Sequence, residues 1–149
     1  GNNKKAKDYY REASELKPGS YEAHYNLALV YEDTFNFILA KKEYRRAIEI
    51  KPESINAHLN LGLVIYKNDY NDYEAALQEF NWVLEHDPEN PLALYNIAVV
   101  YNRVDEGLAL EYWKRFIESA KDKPEYAPNI IKAMQYIEIL ESKKREGGK

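Results

Sequence analysis

Two histidines, His24 and His58, lie thirty-four residues apart. A pair of imidazoles can ligate a metal or move a proton, so these side chains are the first in the chain to suggest chemistry. Their spacing argues for packing instead, because both fall at position 4 of a repeating block, a packing position. His86 stands near the expected end of a helix, at the block position that Leu16 and Ile50 take elsewhere, which gives it a packing or helix-dipole role. The run Asn68-Asp69-Tyr70-Asn71-Asp72 gathers carboxylates in a turn, yet lacks the Asp-x-Asp-x-Asp-Gly order of a calcium loop. No phosphate-cradling glycine loop, metalloprotease helix motif or nucleophile elbow occurs. What remains is hydrogen bonding. Asn26, Asn60 and Asn96 recur at one block position, each with an amide that both donates and accepts. No catalytic residue, metal or cofactor is expected.

The block that sets these positions is thirty-four residues long. Counting from Tyr21, His24, Leu27, Ala28, Tyr31, Ala40, Tyr44, Ala47 and Pro52 occupy positions 4, 7, 8, 11, 20, 24, 27 and 32, Tyr31 being position 11. The block from Ile55 repeats this with His58, Leu61, Gly62, Ile65, Ala76, Phe80, Val83 and Pro88, after two extra residues in its middle. The block from Pro91 gives Leu94, Ile97, Ala98, Tyr101, Ala109, Trp113 and Phe116, one residue short in the same place. Upstream, Ala6, Tyr10, Ala13 and Pro18 have the spacing of a second half-block. Length changes confined to mid-block mean two rigid elements joined by an adjustable turn.

Within each block apolar residues step by three and four, so the elements are helices. They are predicted over 4–16, 20–33, 37–50, 54–67, 72–86, 91–103, 106–120 and 128–145. Ser20 and Asn90 are placed as N-caps, Pro91 at a first helical position, and Pro18, Pro52 and Pro88 just past helix ends. Small residues at positions 8 and 20 (Ala28 with Ala40, Gly62 with Ala76, Ala98 with Ala109) are expected at the closest approach of paired helices. After Phe116 the pattern changes, and Ile130, Ile131, Met134, Ile137 and Leu140 are expected to form one apolar stripe of a capping helix. The domain plan is one domain over 1–149: a half repeat at 4–19, repeats at 21–54, 55–90 and 91–121, a capping helix at 124–145 and a disordered tail at 146–149, with fraying expected from Lys143.

Composition narrows the function. The net charge is −4 and 45% of residues are hydrophobic. An acidic chain of pI about 5.5 is a poor surface for nucleic acid or anionic membrane. There is no apolar run of membrane-spanning length, and with no cysteine there are no disulfides or thiolate zinc sites. The chain begins at Gly1 and enters mid-repeat, so it reads as a segment of a longer protein.

This period and pattern resemble the tetratricopeptide repeat, a helix–turn–helix unit. The resemblance implies an all-α, right-handed helical solenoid with a C-terminal capping helix. It also implies a concave face lined by the first helix of each pair, where a partner protein's peptide or amphipathic helix is held. The expected groove residues are Tyr25, Asn26 and Leu29 in the first repeat, Asn56, Leu59, Asn60, Leu63 and Tyr66 in the second, and Tyr95, Asn96, Val99 and Arg103 in the third. Members that take chaperone C-termini use a carboxylate clamp of Lys, Asn and Arg. Here Tyr25, Leu29, Leu92 and Asn96 stand at clamp positions, so that ligand class is not expected. Acidic Glu22, Glu32 and Asp33 are expected at one end of the groove and Lys67 and Arg103 toward the other. The alternative reading is a structural solenoid that self-associates into a homo-oligomer.

Overall fold

Five helices begin at a side-chain cap of the same form. The side-chain oxygens of Ser20, Asn36, Ser54, Asn90 and Asp105 accept the backbone N–H three residues on, from Ala23, Leu39, Ala57, Ala93 and Leu108, over 3.2, 3.4, 3.3, 3.0 and 2.9 Å. Each cap satisfies a donor that has no partner inside its own helix. Pro91 follows Asn90 at the first helical position, where its missing N–H is harmless. The structure, a computed structural model, describes residues 2–147.

The described residues form α1 (Asn2–Leu16), α2 (Tyr21–Asp33), α3 (Phe37–Ile50), α4 (Ile55–Asn68), α5 (Tyr73–His86), α6 (Pro91–Tyr101), α7 (Glu106–Ala120), a 3-10 turn at Pro124–Tyr126 and α8 (Ala127–Gly147). The all-helical expectation holds among them, and each of the eight helices starts within two residues of its predicted first residue. Helix α6 stops at Tyr101 rather than 103. The N–H groups of Val104 and Asp105 both turn back onto the Tyr101 carbonyl, at 3.0 and 2.8 Å, and close the helix early. The turn after α2 does the same with unusual chemistry. The N–H of Phe35 bonds to Glu32 O and that of Asn36 to Tyr31 O, the paired bonds of a Schellman stop, which asks for a left-handed residue. Phe35 supplies it, with φ +57°.

The chain divides into two compact units, Gly1–Trp82 and Val83–Lys149, with the division falling inside α5. In the first, α1 packs on α2, α2 on α3 and α3 on α4. Its core holds Leu27, Ala28, Ala40, Tyr44, Ala47, Leu61, Val64, Ile65, Ala76 and Phe80. The small residues at positions 8 and 20 are buried in both units. At Gly62 the side chain pressed nearest is that of Phe80. A Cβ built on Gly62 would come within 2.7 Å of the Phe80 ring. The aromatic at position 24 fills the notch that the glycine leaves, one turn along α5 from Ala76.

In the second unit α6 packs on α7 and α7 on α8 around Leu94, Ala98, Ala109, Trp113, Phe116, Ala120, Ala133 and Leu140. The expected stripe of α8 is rotated in the structure. Ile131 and Met134 are exposed, while Ala133 and Leu140 are buried and Ile130, Tyr136 and Ile137 pack partly beneath. Residues 130, 133, 137 and 140 step by three and four and so share one face. Ile131 and Met134 each lie about 100° round the helix from a member of that set. Tyr136 completes the buried side by stacking on Trp113, centroids 5.1 Å apart and planes 8° apart.

Helix α8 also continues to Gly147, past the start of the expected fraying at Lys143. Two ion pairs hold its outer turns to α7, Lys143 to Glu106 at 2.7 Å and Glu141 to Lys114 at 2.9 Å. The Lys114 ammonium holds the Glu141 carboxyl below its usual range. Residues 148 and 149, the rest of the expected tail, lie outside the described residues.

Candidate functional site: a polar network and two histidine fasteners

Both histidines of the repeat are anchored alike. His24 Nδ1 lies 2.7 Å from Glu43 Oε2 and its Nε2 3.1 Å from the Pro18 carbonyl oxygen. His58 makes the same contacts with Glu79 and Pro52, at 2.6 and 3.0 Å. Both rings are buried. A carbonyl and a carboxylate only accept, so a ring nitrogen that bonds either of them does so by donating its N–H. Each histidine thus ties the first helix of its pair to the second and to the turn before it. With both nitrogens occupied, neither ring is disposed to hold a metal, and no group of three His, Cys, Asp or Glu among the described residues could do so. The glutamates escaped the sequence reading, though a signal was there. Glu43 and Glu79 share block position 23, and the third block, which has Leu94 for the histidine, has Tyr112 for the glutamate.

The opposite side of the first unit carries a second network. Asn60 Nδ2 donates to the Tyr25 hydroxyl over 3.0 Å. The Tyr25 ring meets Tyr21 and Tyr44, with centroids 5.4 and 5.8 Å away. Tyr21 in turn shares a 2.7 Å hydrogen bond with Ser54. The Tyr44 hydroxyl donates to Glu32 Oε2 over 2.9 Å, and Lys67 Nζ reaches the other oxygen of Glu32 over 2.9 Å. Burial pushes the Tyr44 phenol far above its ordinary value, and the Glu32 carboxylate adds to the shift. Burial also raises Tyr25, with Tyr21 adding to the rise and Asn60 opposing it.

These contacts redistribute the expected groove residues. Glu32 and Lys67 are not at opposite ends, since they pair directly across thirty-five residues of sequence. Periodicity gives the face on which a side chain lies but not how far its tip reaches, and two long side chains close this gap. Leu59 and Tyr66 are buried, at 5% and 7% exposure, and present little surface. Tyr25, Asn26, Leu29, Asn60 and Leu63 are half-buried and Asn56 is exposed. In the second unit Tyr95, Asn96 and Val99 are half-buried and Arg103 is exposed. There the Tyr95 ring also packs edge-on against Trp113 and Phe116, with both centroids 5.2 Å away. The three repeated asparagines therefore differ. Asn60 is engaged by Tyr25, whereas no hydrogen bond among the described residues ties the side chains of Asn26 or Asn96. No buried side-chain nitrogen or oxygen among those residues lacks a partner, so the two untied amides open to solvent.

Against known proteins, two family descriptions match: TPR repeat over residues 39–69 and tetratricopeptide repeat over residues 69–115. Together they run from the first helix pair into the third. No curated protein matches in sequence. Among solved structures, the crystal structure of MamA is similar with a TM-score of 0.83 and 20% identity, covering 97% of this chain and 74% of that one. The Yersinia enterocolitica type III secretion chaperone SycD, in complex with a peptide of the translocator YopD, is similar with a TM-score of 0.77 and 18% identity, over 83% of this chain and 93% of that one. PilF of Pseudomonas aeruginosa has a TM-score of 0.79 and 26% identity, over 98% of this chain and 63% of that one. Their shared architecture is the helical solenoid.

Proposed function

Because the chain belongs to the tetratricopeptide repeat family, we propose that it is a non-catalytic interaction module holding a peptide or amphipathic helix of a partner protein. The observation that carries this reading is the state of Asn26 and Asn96. Two amides at one block position, half-buried among Tyr25, Leu29, Tyr95 and Val99, are left with donor and acceptor open. Within either unit an extended peptide has an N–H and a C=O to offer such an amide whatever its side chains, and apolar neighbours strengthen such bonds by excluding water. By block position Tyr25, Asn56 and Leu63 belong to the same face in the first unit, and Arg103 does in the second. SycD, solved with a translocator peptide, is a precedent for peptide binding on this fold.

Short peptides on such faces bind at micromolar Kd, about −8 kcal/mol. A peptide selected by display against the purified chain should lose roughly 1 kcal/mol of affinity with Asn26→Ala if it occupies the first unit, or with Asn96→Ala if it occupies the second. The melting temperature should stay within a degree or two, since neither amide has an intramolecular bond to lose. Unchanged affinity in both variants, with the peptide bound elsewhere by crystallography, sinks the reading. Sedimentation across a concentration series tests the self-association alternative, which requires a dimer that persists in both variants.

A further inference from the structure

Each helix pair carries an outer notch where block position 4 of its first helix meets positions 23 and 26 of its second. In the second pair the chain fills this notch itself. Trp82, at position 26, lies flat on His58 with ring centroids 3.6 Å apart and planes 18° apart. In the first pair position 26 is Arg46, which turns along its own helix to Glu49 at 2.5 Å. What remains is an open cavity of about 680 Å³, lined by His24, Ile38, Lys42, Glu43, Arg45 and Arg46 among others.

The charge around this cavity is one-sided. Helix α3 presents Lys41, Lys42, Arg45 and Arg46 on a chain whose net charge is −4. Its two carboxylates are already engaged, Glu43 by His24 and Glu49 by Arg46. Lys41, Lys42 and Arg45 have no ion pair or hydrogen bond among the described residues. Ile38, 69% exposed, adds an apolar wall. Histidine floor, aliphatic wall and cationic rim describe the missing guest: a flat ring flanked by negative charge.

We propose that this notch docks an acidic segment of a partner protein carrying one aromatic side chain. The ring enters the cavity beside His24, in the place that the indole of Trp82 takes beside His58. Flanking carboxylates pair with Lys42 and Arg45. A recess deep enough for one side chain suits a peptide better than a flat array of lipid headgroups. The site uses neither Asn26 nor Asn96, so it stands or fails independently of the peptide face above.

The test uses the full chain and a blocked pentapeptide with tryptophan at its centre and two acidic residues on either side. Binding is followed by amide chemical shifts at low salt, where charge pairing is least screened. The expected result is saturable binding, with the shifts centred on residues of α2 and α3 near His24. Replacing the tryptophan by alanine, or reversing the charge of the chain with Lys42→Glu and Arg45→Glu together, should each weaken binding by about tenfold or more. Arg46→Trp should close the notch with an indole of the chain's own and weaken binding similarly, without lowering the melting temperature. Should that variant fail to fold, the charge reversal reads the same surface. The proposal is overturned if no binding occurs at millimolar peptide, or if a peptide with lysines for its acids binds equally. It is also overturned if folded Arg46→Trp binds unchanged, or if phosphatidylserine vesicles capture the chain and the peptide does not bind.

Discussion

The side-chain amide of Asn60 donates to the hydroxyl of Tyr25 over 3.0 Å, and so couples the first helix of one pair to the first helix of the next. An amide chosen from sequence as a ligand contact is thus also part of the frame. Asn60→Ala should lower stability by about 1 kcal/mol, and Tyr25→Phe by a similar amount. The double variant should cost less than the two combined, because the same bond is lost only once. Urea unfolding of the four proteins checks this, and strictly additive losses would show that the bond contributes nothing.

The histidine fasteners give a larger effect. His58→Ala leaves Glu79 short of a partner, opens a hole beneath Trp82 and frees the Pro52 carbonyl. A loss of about 2–4 kcal/mol is expected. Glu79→Gln keeps a hydrogen bond but removes the charge, and should cost about 1 kcal/mol. Thermal or urea melts decide. If His58→Ala melts like the parent, the contact has no structural weight.

Gly62 tests packing without any polar group. Alanine there gains up to about 1 kcal/mol of helix propensity, but its methyl would sit 2.7 Å from the Phe80 ring. Phe80 is itself 1% exposed, so the ring has little room to retreat. The overpacking wins, and Gly62→Ala should be destabilising by about 1–2 kcal/mol net. In a Phe80→Leu background the clash is relieved and the same change should become neutral or favourable. A double-mutant cycle measures the difference.

Tyr44 sets the alkaline limit. Its folded-state value is raised by burial first and by the Glu32 carboxylate second, while the unfolded chain ionises near the ordinary value of about 10. Below that pH both states keep the phenol proton and its contribution to stability is whole. Above it the unfolded chain releases a proton that the folded chain retains. Stability then falls as pH rises, by at most about 1.4 kcal/mol per unit for this group. Tyr44→Phe should be less stable than the parent at pH 8 through loss of the bond to Glu32. That gap should narrow above pH 10. Unfolding free energies at pH 8, 10 and 11 check the sign, and a gap that widens with pH contradicts it.

Sequence alone was enough for the helices, their pairing and where each begins. Spacings of three and four mark a helix because side chains at that spacing share a face. Ser20, Asn90 and Pro91 mark boundaries because an unpaired N–H needs a cap or a proline wherever it falls. These are local constraints, and local residues express them. The partners of His24 and His58, the bond from Asn60 to Tyr25, the pairing of Glu32 with Lys67 and the face that α8 turns inward were decided by tertiary structure. Each depends on which side-chain tips meet after helices nineteen to thirty-seven residues apart in the chain have packed, and on lengths and rotations that a period does not encode. That is why the aligned asparagines looked equivalent in sequence and are not. Asn60 found a hydroxyl across the helix interface, while Asn26 and Asn96 met none.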